Sequence, residues 1–211
     1  MQTNSFKVSR RNFLRASVAI SAPLALTWLA SRGEWMTDGS VTAQTLPLTP
    51  ECVDPTDVTP SQTEGPYFTR NSPERASLLE PGLNGTRLML SGLVLARNCQ
   101  PVAGALLDFW QADDRGAYDN EGYRLRGHQF ADADGRYSLE TILPAFYSGR
   151  TRHIHLKVQA PGAPVLTTQL YFQGEPGNQR DAIFSPALAM AMQDAEDGSK
   201  QTRFDFVVRT A

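Results

Sequence analysis

Histidine and cysteine are scarce in this chain. Three histidines (His128, His153, His155) and two cysteines (Cys52, Cys99) occur among 211 residues. So few thiols exclude a disulfide-dense scaffold, and neither cysteine has the spacing of a zinc site or a histidine beside it. Phosphate-binding and dinucleotide-binding glycine patterns are absent. No cluster of Lys and Arg marks a nucleic-acid surface, and the formal net charge is −2. Asp132-Ala133-Asp134-Gly135 opens like a calcium loop, but the later ligands and the closing glutamate are missing. No internal repeat or low-complexity tract is visible. With 41% hydrophobic and 20% charged residues, the composition suits a packed globular core.

The one long apolar run is at the N-terminus. Ser9-Arg10-Arg11-Asn12-Phe13-Leu14-Arg15 is a twin-arginine pattern, followed by an apolar run from Ala16 to about Ala30 and a small-residue site at Val41-Thr42-Ala43. That order reads as a signal peptide, residues 1–43. The run is broken by Pro23 and is short of the roughly 20 apolar residues a span needs, so the mature form carries no membrane span. The twin-arginine export machinery is then a partner, and the mature protein is periplasmic or secreted.

Residues 44–87 read as an extended arm, because Pro47, Pro50, Pro55, Pro60 and Pro66 forbid a long helix. Cys52 lies in this arm and Cys99 at the end of the next strand. In an oxidising compartment they are expected to form one disulfide, with two free thiols as the alternative. Residues 88–211 form the third segment. Apolar runs at 88–95, 105–110, 136–142, 153–158, 165–172 and 204–208 read as strands separated by turns, and Asp134-Gly135 as a hairpin-type turn. Ser185 and Pro186 open an expected short C-terminal helix continuing to Gln193. The fold class is all-β: a β-sandwich of short strands with long active-site loops and that one helix.

The chemistry concentrates in Tyr147-Ser148-Gly149-Arg150-Thr151-Arg152-His153-Ile154-His155-Leu156-Lys157-Val158. Period-2 alternation sends Ile154, Leu156 and Val158 to one face and both histidines to the other. Two imidazoles so placed can reach one metal ion, although His-x-His alone also describes two polar residues on a solvated face. Arg150 and Arg152 make the surroundings positive, so a cation there needs anionic ligands. No acidic residue follows until Glu175. The nearest candidates are phenols: Tyr147, and Tyr118 on a charged loop that leaves Trp110.

These pieces join in one resemblance. Thr63-Glu64-Gly65-Pro66-Tyr67, Pro101-Val102-Ala103-Gly104-Ala105, Asp108-Phe109-Trp110-Gln111-Ala112, Gly116-Ala117-Tyr118, Thr141-Ile142-Leu143-Pro144-Ala145-Phe146-Tyr147, Arg150-Thr151-Arg152-His153-Ile154-His155 and Thr168-Gln169-Leu170-Tyr171-Phe172 follow the order and spacing of one family. The chain resembles the intradiol ring-cleavage dioxygenases, non-haem iron(III) enzymes that include protocatechuate and catechol dioxygenases. It departs from them in its export signal, in lacking the long helical N-terminal region of catechol-type members, and in Arg152, where a small residue is expected.

The resemblance implies Fe(3+) held by Tyr118, Tyr147, His153 and His155, with Tyr147 the ligand that leaves and Tyr118 the one that stays. It implies a small aromatic substrate of the catechol class and O2 as partners, and cleavage to a cis,cis-muconate-type diacid. Arg150 falls on the family's active-site arginine and Gln169 on a second polar residue of the pocket. Tyr67, in the Gly-Pro turn, is expected to touch the substrate together with Arg150. Protocatechuate-like rings are ranked slightly ahead of catechol or hydroxyquinol, because Arg152 could meet a carboxylate if it turned inward. A homo-oligomer is compatible with all of this. Two alternatives stay open: an exported β-sandwich binding module without catalysis, and a His-x-His metal hydrolase.

Overall fold

β1 (Arg87–Ala96) is the longest strand and the hub of the first sheet. It pairs antiparallel with β4 (Arg136–Ile142) and parallel with β9 (Lys200–Arg203) and β10 (Phe206–Val208). β8 (Met192–Asp194) completes this sheet against β9. The second sheet has the order β3-β2-β5-β6-β7. Its strands are β2 (Leu106–Trp110), β3 (Arg126–Phe130), β5 (His153–Gln159), β6 (Leu166–Phe172) and β7 (Ala189–Met190). The computed structural model describes residues 58–211. The expected signal peptide, the arm before residue 58, and Cys52 lie outside the described residues.

Alternation decides which side chains face inward. Leu88, Leu90 and Leu139 from one sheet meet Leu107, Phe109, Ile154, Leu156, Val158, Leu170 and Phe172 from the other in a single buried cluster. This is a two-sheet β-sandwich, as the strand spacing predicts. β9 and β10 act as one strand interrupted at Phe204-Asp205 while β1 runs on beside both. At the break the Asp205 carboxylate accepts from the Leu93 amide at 2.8 Å, and the Tyr137 hydroxyl donates to the Phe204 carbonyl at 2.7 Å. Gly92 permits this crossing, since a Cβ there would lie 1.8 Å from the Phe204 carbonyl oxygen.

Two local expectations are corrected. The helix from Ser185 to Gln193 is only a 3-10 turn, Pro186–Leu188, without a side-chain cap. The Leu-Ala-Met-Ala-Met run has helical propensity, but Ala189 and Met190 pair with Tyr171 and Phe172 of β6 and are buried there. Tertiary pairing overrides a weak local preference. Asp134-Gly135 forms a tight turn, with the Asp132 carboxylate accepting from the Asp134 and Arg136 amides. It is not a hairpin, however: β3 before it pairs with β2, and β4 after it pairs with β1. The turn therefore links the two sheets.

The described part of the arm, 58–86, contains no strand longer than an isolated bridge. It is held to both sheets by main-chain and side-chain bonds. Thr59 N donates to Val207 O at 2.9 Å, Gln62 N to Thr167 O at 2.8 Å, and Thr168 Oγ1 to Pro60 O at 2.7 Å. Cys99 is disulfide-bonded. Among the described residues, no helix is long and apolar enough to cross a membrane.

Candidate metal centre

One end of the outward face of the second sheet is buried although it is polar. Trp110, Arg126, His153, His155, Gln169 and Tyr171 are each 3% exposed or less. Register explains the grouping: His155 stands between Trp110 of β2 and Gln169 of β6, and His153 opposite Tyr171. The Trp110 indole stacks on the His155 ring at 5.0 Å and 9°. Nε2 of His153 and Nε2 of His155 lie 3.1 Å apart. His153 Nδ1 donates to Thr151 O at 2.6 Å, an assignment from the hydrogen-bond network that leaves its Nε2 as a bare lone pair. Burial pulls His153 down to about 4 and His155 well below the usual imidazole value; the charge of Arg150 pushes both the same way. Both rings are thus neutral donors at pH 7.

The loops above this face bring the phenols in. Asp113 O accepts from Ala145 N at 2.9 Å, tying the Tyr118 loop to the Tyr147 segment. Gly116, at φ +84°, allows the close approach, because a Cβ there would sit 2.3 Å from Phe146 O. The Tyr118 ring then meets Tyr147 at 5.4 Å and 86°, and His155 at 6.1 Å. Tyr67 stacks on Tyr118 at 4.4 Å and 12°, and its hydroxyl touches that of Tyr147. Tyr67 is therefore inside the ring cluster. Burial raises the Tyr118 hydroxyl above its usual value, opposed by the charge of Arg150. The hydrogen bond with Tyr67, followed by burial, raises Tyr147.

These residues suit a hard, highly charged cation. The Tyr118 hydroxyl, beside the His155 ring, is buried without a hydrogen-bond partner within the protein, which is costly unless a ligand meets it. Among the described residues, no three of His, Cys, Asp and Glu converge. Among the described residues the anionic donors available beside the two imidazoles are therefore phenols, and phenolate oxygen suits a hard, highly charged ion. Tyr118, Tyr147, His153 and His155 are the four side chains that could hold it.

Beside the rings lies Arg150. Its Nη2 donates to Gln169 Oε1 at 2.7 Å and to the Tyr171 hydroxyl at 3.2 Å, and its Nε to both Asp181 oxygens at 3.0 and 2.8 Å. Asp181 also accepts from the amides of Thr151 and Ile183 at 3.0 and 3.1 Å. Gln169 Nε2 donates to Thr63 O at 2.8 Å, which binds the arm to the site.

Sequence reasoning missed Tyr171, Asp181 and Arg126. Alternation along β6 could have found Tyr171, two residues from Gln169 on the same face. No spacing marks Asp181 or Arg126. Arg152 does not join the cluster. It pairs with Glu175 at 3.2 Å, donates to Pro144 O at 2.7 Å, and lies over Phe146 at 4.6 Å. His128, on β3, is also elsewhere, its Nδ1 held at 2.7 Å by the carbonyl of Ser72 in the arm.

Comparison with known proteins gives the same direction. A family model described as Dioxygenase matches residues 63–210. Chlorocatechol 1,2-dioxygenase of Pseudomonas sp. (strain P51) is 29% identical over 174 residues, 70% of this chain and 69% of that protein. Catechol 1,2-dioxygenase 2 of Acinetobacter lwoffii is 31% identical over 166 residues, 65% of this chain and 60% of that protein. The match thus spans between three fifths and about two thirds of these curated relatives' lengths. Among solved structures, the dioxygenase domain of a dioxygenase carbohydrate-binding protein fusion from Streptomyces sp. SirexAA-E is similar with a TM-score of 0.71. It is 56% identical, over 74% of this chain and 100% of that one.

Proposed function

The chain belongs to the intradiol ring-cleavage dioxygenase family, and from that premise we propose that it is an iron(III) enzyme cleaving catechols with O2 to muconate-type diacids. The observation that carries the reading is the convergence of two neutral imidazole Nε2 atoms at 3.1 Å with a buried, unpartnered Tyr118 hydroxyl. Tyr118, Tyr147, His153 and His155 would hold the iron. Bound there, iron would supply the Lewis acidity that ionises a catechol and prepares its ring for O2.

The remaining work falls to the protein. Tyr118, the more buried phenol, is held between the stacked Tyr67 ring and the ring edge of Tyr147, which suits a permanent ligand. Tyr147 lies on a short turn, Tyr147 to Arg150, and is only half-buried. As a phenolate it could take a proton from an incoming catechol hydroxyl onto its own oxygen, with the Tyr67 hydroxyl as hydrogen-bond partner. Arg150 faces the cluster with its charge fixed by Asp181, and can stabilise negative charge that develops on the ring. Gln169, 0% exposed, aligns Arg150. The arm and the loops exclude water from this face.

For the substrate we keep the class of catechols. Arg152, the cation that would meet the carboxylate of a protocatechuate-like ring, is engaged by Glu175, so the ring substituent is left to the rim. We also propose export through the twin-arginine signal read at residues 1–43.

The test is purification of the exported protein, iron analysis, and oxygen uptake with catechol, protocatechuate, chlorocatechol and hydroxyquinol, with product identification. About one iron per chain, a broad visible tyrosinate band and cleavage between the hydroxylated carbons are expected. Iron-loaded protein that consumes no oxygen, or cleaves outside the two hydroxyls, overturns the proposal.

A further inference from the structure

Arg126 is among the largest fully buried side chains, 1% exposed. All its side-chain hydrogen bonds end on main-chain carbonyls: Nε and Nη2 donate to Asp119 O at 2.9 and 2.6 Å, and Nη1 donates to Tyr67 O. Burying a guanidinium against carbonyls alone is costly and calls for a reason. The two carbonyls it joins supply one. Asp119 follows Tyr118 in the loop after β2, and Tyr67 is on the arm. The same two segments also meet further along, where the Tyr123 hydroxyl donates to Arg70 O and Arg124 Nη2 to Gly82 O, each at 3.0 Å, but at Tyr67 and Asp119 themselves the described bonds between them run through Arg126.

The base of this fork is itself fixed. Arg126 N donates to Tyr123 O at 3.2 Å, and Arg126 O accepts from Arg75 Nε and Nη2 at 2.9 and 2.7 Å. In the ladder the residue pairs with Trp110, whose ring stacks on His155. A planar guanidinium bonded on two edges sets the separation and angle of the two segments it holds; an ammonium does not.

We infer that Arg126 is a positioning residue of the centre. It clamps the arm at Tyr67 to the loop at Asp119, and so sets both the 4.4 Å stack of Tyr67 on Tyr118 and the contact of the Tyr67 hydroxyl with Tyr147. The kinetic consequences rest on the dioxygenase reading. The structural ones do not.

The experiment compares Arg126→Gln, Arg126→Lys, Tyr67→Phe and the two double variants in the exported full-length product. Near-ultraviolet circular dichroism of the metal-free proteins reads the stacked tyrosines. The visible band, kcat and KM with catechol are then taken on the iron-loaded forms. Both Arg126 variants are expected to lose the tyrosine signal while keeping the far-ultraviolet β spectrum. In both, kcat should fall about a hundredfold, as expected when a reacting group is misplaced by about an ångström. Tyr67→Phe should lower kcat in the parent and add nothing in either Arg126 background, since residues acting as one unit are non-additive. Additive losses, or an unchanged tyrosine signal in a folded variant, overturn the inference. If Arg126→Gln does not fold, Arg126→Lys decides alone, and wild-type dichroism and kcat in that variant overturn it. A parent protein without iron or oxygen uptake defeats the dioxygenase reading instead, and the dichroism still judges Arg126.

Discussion

Replacing Asp181 by Asn isolates what its charge does for Arg150. The Asp181 side chain is fully buried and receives Arg150 Nε and two backbone amides, while the Arg150 side chain is 23% exposed. Removing one partner of a fully buried pair costs about 3–5 kcal/mol, whereas exposed pairs are worth about 1 kcal/mol or less. Asparagine keeps one acceptor oxygen, and water reaches one side of the pair. The expected loss is therefore about 2–3 kcal/mol near pH 7.

The pH dependence of that loss has a definite sign. Burial raises the Asp181 pKa, but the hydrogen bonds from Arg150 and from the Ile183 and Thr151 amides outweigh it, so the folded value is lowered. A depressed carboxylate contributes stability above its unfolded pKa and loses it as the pH falls through the folded one. The gap between parent and variant should hold at neutral pH and shrink below about pH 4. For catalysis, Arg150 would remain tied to Gln169 and Tyr171 but lose its aim. A fall in kcat of about 10–100-fold with little change in KM is expected, less than for deleting an oriented donor. The assay is urea unfolding across pH together with oxygen-uptake kinetics. A variant destabilised as stated but unchanged in kcat would refute the reasoning, because Gln169 and Tyr171 would then suffice to orient Arg150.

Other perturbations test other parts of the site. Tyr118→Phe and Tyr147→Phe should each weaken or shift the visible iron band, with the greater loss of iron in Tyr118→Phe because its oxygen is the buried one; unchanged spectra in both would remove phenolate ligation. Gly116→Ala forces a Cβ to 2.3 Å from Phe146 O at a positive φ, and should cost about 1–3 kcal/mol of stability by thermal melting together with iron content. Arg10→Lys with Arg11→Lys should retain the protein in the cytoplasm, read by cell fractionation. Cys99 is disulfide-bonded and Cys52 is the only other cysteine, so denatured, non-reduced exported protein should take up no alkylating agent. Closing a loop of just under fifty residues contributes about 3–4 kcal/mol if unstrained.

The strands that sequence could place were those with an apolar alternation. β4 runs from Arg136 to Ile142 as its pattern indicates, and β5 begins at His153. β3 was invisible because Arg-Gly-His-Gln-Phe has no apolar face: Arg126 and His128 point away from the core, and the core-facing positions hold Gly127 and Gln129. β9, with Lys-Gln-Thr-Arg, hides for the same reason. These strands owe their place to the neighbours that pair with them, which a local pattern does not carry. The helix error at Ala187–Gln193 is the reverse case, a local preference with no vote against the ladder of β6.

The candidate site divides along the same line. Its metal-facing side chains are residues whose chemistry is unusual on a strand or beside it, so His153, His155, Tyr118 and Tyr147 stand out in the sequence. The groups that orient them are ordinary polar residues that become informative only when buried. Asp181 is one aspartate among many until three donors surround it, and Arg126 reads as a surface charge until both its carbonyl partners are located. Polar burial depends on contacts between segments far apart in the chain: Tyr67 and Arg126 are joined across the arm, Arg150 and Asp181 across two loops and two strands. A buried polar group must be matched by partners or destabilise the fold. The orienting residues are thus fixed by the fold as a whole, and a substitution there should alter the centre without touching any of its four candidate ligands.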